Sequence, residues 1–330
     1  MTDDRMIRVL TQLWKNVLKV PVIGTDHNFF EIGGNPDLAD ALFREIARTT
    51  GLEMPSVVIY DAPTIGKLSI LLTSGQVPRC PPLLLAKSGT ENPPVFLAHG
   101  IRGDALQLYY LMQSLQIRNS LYATQASGID GLQEPLDRVD AMADIYFQAI
   151  RHLQSQGPYF LIGYSFGGLV MMEVAQRLLA IGEQIGLLTM LDSYPHRKHL
   201  SQAQRLTTLM NIARHRFFHN RIHARPFEKH ANSTMQFARK RIYRGELLAL
   251  KRYQPKFYPG KVNFVRAGVV SFFPKDPSQV WSHLARRFEL ETVPCDHTGL
   301  ITTHHTAVAK LLNSQLIAAL NARSVRSVQL

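Results

Sequence analysis

From residue 83 onward, short apolar runs alternate with amphipathic stretches of helical spacing, and this alternation limits the chain to few architectures. Apolar runs at 83–86, 95–99, 121–125, 159–164, 185–191, 262–266 and 288–293 read as strands. Helical spacing fills 106–115, 139–153, 168–181 and 306–320. Parallel strands need a crossover between them, and a helix is the usual one, so the pattern predicts an α/β fold with a mostly parallel sheet covered by helices. Between the fifth and sixth runs a basic stretch interrupts the alternation, and residues 195–252 read as a helical insertion. The content of 45% hydrophobic and 19% charged residues, with 21 Gly and 18 Pro among 330, supports a buried core and excludes disordered and collagen-like chains.

Upstream lies a smaller helical unit. Met6, Leu10, Leu13, Trp14 and Val17 recur at helical spacing over 3–18. A second helix starts at Asn35 and Pro36, a favourable N-cap and first helical residue, carries the apolar stripe Leu38, Leu42 and Ile46, and stops at Gly51. A third, short helix covers 63–72. The Pro/Gly-rich stretch that follows separates a domain at 1–75, through a linker at 76–82, from a larger one at 83–330.

The formal net charge is +12. The window 196–252 holds fourteen Lys/Arg against Glu228 and Glu246, which accounts for all of it. With the rest near neutral, a nucleic-acid-binding surface spread over the whole molecule is not expected. The start of the chain lacks the basic and apolar regions of a signal peptide, and no uncharged apolar run approaches the ~20 residues of a membrane span. Cys80 and Cys295 offer neither a disulfide framework nor a metal-ligand spacing, so a reducing, cytoplasmic setting and no metal are expected.

The chemistry-bearing motif is Gly163-Tyr164-Ser165-Phe166-Gly167-Gly168, a G-x-S-x-G that closes an apolar run and opens a helical one. Small residues there allow a tight strand-to-helix turn that lifts the Ser165 hydroxyl above the sheet. A serine becomes a nucleophile only if a base takes its proton and a carboxylate orients the base. Asp192, at the end of the next apolar run, and His297, just after the last, follow in the order Ser, Asp, His. Asp192 could instead cap a turn, and His304 and His305 compete with His297. An oxyanion needs two backbone N–H donors; Phe166, after the serine, supplies one, and Ile101 in Ala98-His99-Gly100-Ile101-Arg102-Gly103 the other. His99 and Arg102 read as loop-shaping and solvated residues.

These motifs, with Leu187-Leu188-Thr189-Met190-Leu191-Asp192-Ser193, Tyr253-Gln254-Pro255-Lys256-Phe257-Tyr258-Pro259-Gly260 and Cys295-Asp296-His297, resemble the type I thioesterase domains that end nonribosomal peptide and polyketide synthetases. The resemblance spans about 82–320. It implies an α/β-hydrolase fold, a Ser165/Asp192/His297 triad, a helical lid formed by the basic insertion, and release of acyl or peptidyl chains from phosphopantetheine thioesters through an acyl-serine. The segment Asp26-His27-Asn28-Phe29-Phe30-Glu31-Ile32-Gly33-Gly34 resembles the D-x-F-F-x-L-G-G of the carrier domains that precede such thioesterases, and Tyr60-Asp61-Ala62-Pro63-Thr64-Ile65 their later F-x-x-P-T-[VI]. Pro36 stands where that family carries its phosphopantetheine serine. No covalently held cofactor is therefore expected, and phosphopantetheine should arrive on an acyl or peptidyl carrier protein or synthetase acting in trans. The rival readings are a carboxylesterase or lipase with the same triad, and a non-catalytic docking protein. The basic insertion reads either as a solvated helix face or as a surface for an acidic carrier or anionic acyl group, with membrane-surface binding weaker.

Overall fold

The computed structural model describes residues 3–75, 78–202, 204–206, 209–210, 234–269 and 276–327, with side chains through Asn321. Seven strands form one sheet: β1 (Leu83–Lys87), β2 (Glu91–Ala98), β3 (Asn119–Thr124), β4 (Tyr159–Tyr164), β5 (Ile185–Leu191), β6 (Tyr258–Ala267) and β7 (Ala285–Val293), in the order β1-β3-β2-β4-β5-β6-β7. Only the edge strand β1 runs antiparallel, against β3. The central strands are unbroken apolar runs because both their faces are covered. In β4, Tyr159 and Leu161 enter the core beneath helices α5 (Val139–Leu153) and α6 (Phe166–Ala180), while Phe160 and Ile162 enter the opposite core with α4 (Tyr109–Ser114) and α9 (His305–Ser327).

That second core continues without a break into the N-terminal helices α1 (Asp3–Leu18), α2 (Pro36–Thr50) and α3 (Ile65–Thr73). The start and stop signals of α2 act as their chemistry requires. Asn35 accepts a hydrogen bond from Leu38 N at 3.0 Å, Pro36 opens the helix, and Gly51 at φ 75° closes it by donating to Ala47 O at 2.9 Å.

The expected helix at 106–115 is split. Asp104 Oδ1 accepts from Leu106 N at 2.8 Å and starts a 3₁₀ turn over Ala105–Leu108, so α-helical bonding begins only at Tyr109. Strand β2 begins at Glu91, ahead of the expected 95, and its Pro93 and Pro94 fall inside a register shift where the ladder asks for no N–H. Of the basic insertion, the helix α7 (Thr234–Arg252) is described, whereas most of 203–233 lies outside the described residues. A one-turn helix α8 (Ser278–Trp281) was not signalled in the sequence. No described helix is long and apolar enough to cross a membrane.

Candidate active site

Strand β4 ends at Tyr164 and α6 begins at Phe166, so Ser165 makes the whole turn alone, at φ 53° and ψ −120°. A non-glycine residue there costs roughly 1–3 kcal/mol and persists only when its surroundings hold it. They do: Ser165 N donates to Leu191 O at 2.8 Å, and Gly168 N donates to Ser165 O at 3.2 Å. Helix α6 also approaches its neighbours too closely for side chains. A Cβ on Gly167 would lie 2.2 Å from His99 O, and one on Gly168 2.0 Å from Ser193 Oγ.

Asp192 follows β5 directly, fully buried and at φ 47°, a region that Asp tolerates better than most residues. Its N–H donates to Val265 O at 2.8 Å, and its Oδ1 accepts from Ala267 N at 3.3 Å. These two bonds to β6 turn Oδ2 toward His297, whose Nδ1 lies 2.8 Å away. His297 Nε2 in turn lies 3.0 Å from Ser165 Oγ. The Tyr164 ring stacks on the imidazole at 5.0 Å, and its hydroxyl donates to His297 O at 3.2 Å. Burial raises the Tyr164 hydroxyl out of its ordinary titration range, aided by the Asp192 charge, so it stays a neutral donor. The two competing histidines are placed elsewhere. His305 Nδ1 lies 2.6 Å from Ser114 Oγ, and His304 Nδ1 lies 2.9 Å from Thr303 Oγ1. The arrangement can pass the serine proton to an imidazole whose other nitrogen is fixed by a carboxylate.

Ile101 and Phe166 lie on adjoining segments. Ile101 is in the turn after β2, the strand beside β4, and the first turn of α6 abuts His99 O from that turn. Arg102 has a strained φ of 143°.

The thioesterase-domain family matches residues 93–316, well over half of the chain. The chain belongs to the thioesterase-domain family. A second match, to the phosphopantetheine attachment site family, covers 8–72. A dimodular nonribosomal peptide synthase from Bacillus subtilis (strain 168) is 28% identical over 315 residues, which are 88% of this chain and 13% of that much longer relative. Among solved structures, a four-domain nonribosomal peptide synthetase in holo form, bound to AMP and glycine, superposes on 94% of this chain with a TM-score of 0.61 and 21% identity. This chain covers 26% of that one. The NocB thioesterase domain, solved as a covalent complex with a fluorophosphonate nocardicin G analogue, matches 70% of this chain and is itself 96% covered, with a TM-score of 0.53 and 21% identity. The fold is thus the α/β-hydrolase of thioesterase domains, preceded by a helical carrier region.

In this thioesterase the carrier region rests against the hydrolase. Phe30 stacks on Tyr109 at 5.0 Å, and Arg239 of α7 donates to Asp40 Oδ1 at 2.8 Å and Ser56 Oγ at 2.7 Å. Burial acts to raise Asp40, but the Arg239 charge and hydrogen bond outweigh it and hold the carboxyl below the usual range. Arg241 and Arg252 of the insertion pair with Glu134 and Asp137, so part of the basic charge is matched within the molecule. The start of α2, Pro36 followed by Asp37, has no hydroxyl and does not fit a covalently attached phosphopantetheine arm. Sequence reasoning missed Glu246, which is buried against the turn after β2. Its one signal was being one of two acids among fourteen cations.

Proposed function

We propose that this chain is a serine hydrolase that releases an acyl or peptidyl chain from a phosphopantetheine thioester in nonribosomal peptide or polyketide biosynthesis. The observation that carries this is the relay Asp192 to His297 to Ser165, with contacts of 2.8 and 3.0 Å, at the tip of a strained strand-to-helix turn. Ser165 Oγ attacks the thioester carbonyl and its proton passes to His297 Nε2. The N–H groups of Phe166 and Ile101 receive the negative charge that develops on the carbonyl oxygen. Collapse breaks the C–S bond, and the departing sulfur takes the proton from Nε2. Water, or a nucleophile within the chain being released, then gives its proton to His297 and displaces Ser165, which regains it. Each oxyanion donor in such a site is worth roughly 10²–10³ in rate.

The reading assigns 1–75 to a carrier-like domain, 76–82 to a linker and 83–330 to the hydrolase. With Pro36 at the start of α2, the thioester is brought by an acyl or peptidyl carrier protein or synthetase in trans. The free thiols of Cys80, half-buried, and Cys295, buried, each pushed up to about 12 chiefly by desolvation, suit a reducing cytoplasmic setting. The test incubates the full chain with a panel of acyl-pantetheine thioesters, acyl carriers and simple esters, and follows acyl-Ser165 by intact mass. Thioester turnover with an adduct on Ser165 is expected. Ser165→Ala and His297→Ala should each lose about 10⁴–10⁶-fold, and the double variant little more. Preference for simple esters, or turnover surviving in Ser165→Ala, would refute the reading.

A further inference from the structure

We propose that Glu246, on the inserted helix α7, is a positioning residue that holds the turn after β2 in the conformation from which Ile101 donates to the oxyanion. The inference rests on the role proposed above for that turn. Glu246 is 1% exposed, and its Oε2 accepts from Arg102 N at 2.7 Å across 144 residues of sequence. Arg102 is the residue whose φ of 143° an L side chain rarely adopts, so an outside acceptor is what keeps its N–H aimed there. Helix α7 grips the same turn a second time. Gly103, at φ 73°, leaves no room for a Cβ, which would fall 2.7 Å from Ile242 Cγ2 and 3.3 Å from Glu246 Oε1.

The peptide on the other side of Ile101 is fixed from the sheet. His99 Nδ1 lies 2.9 Å from Gly100 O, which only accepts, so Nδ1 carries the proton. Its Nε2 lies 2.9 Å from the Tyr146 hydroxyl on α5. In a trans planar peptide the N–H points opposite to the C=O, so holding Gly100 O fixes the direction of Ile101 N–H. The two peptides flanking Ile101 are therefore pinned independently, one by His99 with Tyr146 behind it, the other by Glu246.

The groups facing Glu246 are His99, 3.7 Å away, Tyr146, and the backbone of Arg102. Burial lowers His99 to about 4 and raises Glu246 to about 8, where the Arg102 N–H opposes the rise. Both shifts favour the uncharged forms, in which the acid accepts from Arg102 N through a carbonyl-like oxygen. Glutamine is the closest mimic of that state, and leucine fills similar space without an acceptor.

The test compares Glu246→Gln with Glu246→Leu in the full chain. It measures kcat and KM on a small acyl-pantetheine thioester, the rate of Ser165 modification by a fluorophosphonate, and the melting temperature. Leucine keeps most of the volume and should fold, with a melting temperature lowered by the loss of the acceptor for Arg102 N–H. It should nevertheless lower kcat and the phosphonylation rate by about 10²-fold with little change in KM, while glutamine restores both to within about tenfold of wild type. Wild-type kcat in a folded Glu246→Leu protein, or equal losses in both variants, would overturn the inference. A Ser165→Ala control separates the two failures. If it is inactive while Glu246→Leu is not, only the role of Glu246 falls; if it stays active, the proposed function falls first.

Discussion

Replacing Asp192 by Asn changes only which atoms carry hydrogen, and the structure fixes how the new amide must sit. In the wild type Oδ1 accepts from Ala267 N at 3.3 Å and Oδ2 faces His297 Nδ1 at 2.8 Å. If the amide nitrogen took the Oδ1 position, two N–H donors would face each other in a fully buried site, at a cost of roughly 1–3 kcal/mol. The oxygen therefore stays on Ala267, and the NH₂ points at His297. His297 must then accept through Nδ1, which moves its proton to Nε2, 3.0 Å from Ser165 Oγ. That nitrogen can no longer take the serine proton. The wrong tautomer costs about 10⁴ in kcat in a serine triad, which corresponds to about 5.4 kcal/mol of activation free energy. The fold should survive, because Asn is among the residues most tolerant of a φ near 47° and no volume is lost. The assay is single-turnover acylation of Ser165 by a small acyl-pantetheine thioester, read by intact mass, beside a thermal melt. Acylation within tenfold of wild type at an unchanged melting temperature would refute the geometry argued for Asp192.

Treatment with a broad phosphopantetheinyl transferase and coenzyme A should leave the wild-type mass unchanged, since Pro36 and Asp37 offer no hydroxyl; an adduct within 26–50 would return the protein to loading in cis. Raising salt should lower kcat/KM for a carrier-bound acyl group more than for the same group on a small neutral thioester, because exposed charges are screened over about 8 Å at physiological ionic strength; equal salt dependence would reject recruitment by the insertion's cations. Stability should shift with pH through two opposed groups. His99, lowered from 6.5 to about 4, favours folding increasingly as pH rises through that window, because the unfolded chain binds more protons there. Glu246, raised from 4.5 to about 8, removes stability as pH rises from 4.5 to 8, because the folded state binds more. Wild type should therefore lose melting temperature from pH 6.5 to 8 while Glu246→Gln does not, and parallel curves would show that Glu246 ionises normally.

The parts of this protein legible in the sequence are those set by neighbouring residues. Strand β4 and the turn at Ser165 could be placed because burial on both faces demands an unbroken apolar run, and because small residues must follow the serine if a helix is to start at once. The limits of α2 were legible because Asn35, Pro36 and Gly51 act within a few residues of themselves. The order Ser165, Asp192, His297 could likewise be read from the ends of the fourth, fifth and last apolar runs.

Tertiary structure decided what depends on residues far apart. His297, rather than His304 or His305, meets Asp192 and Ser165 across 105 and 132 residues, and no local pattern carries that separation. Composition makes the insertion a block of positive charge, whereas in the fold Arg239, Arg241 and Arg252 are matched by Asp40, Glu134 and Asp137 from other parts of the chain. Glu246 is the sharpest case. In sequence it is a charge among charges on a helix, which normally means a solvated face. Only packing α7 onto the turn after β2 strips its water, gives it Arg102 N–H as a hydrogen-bond donor, and shifts it toward the uncharged acid, because a buried charge costs more than a buried carboxylic acid.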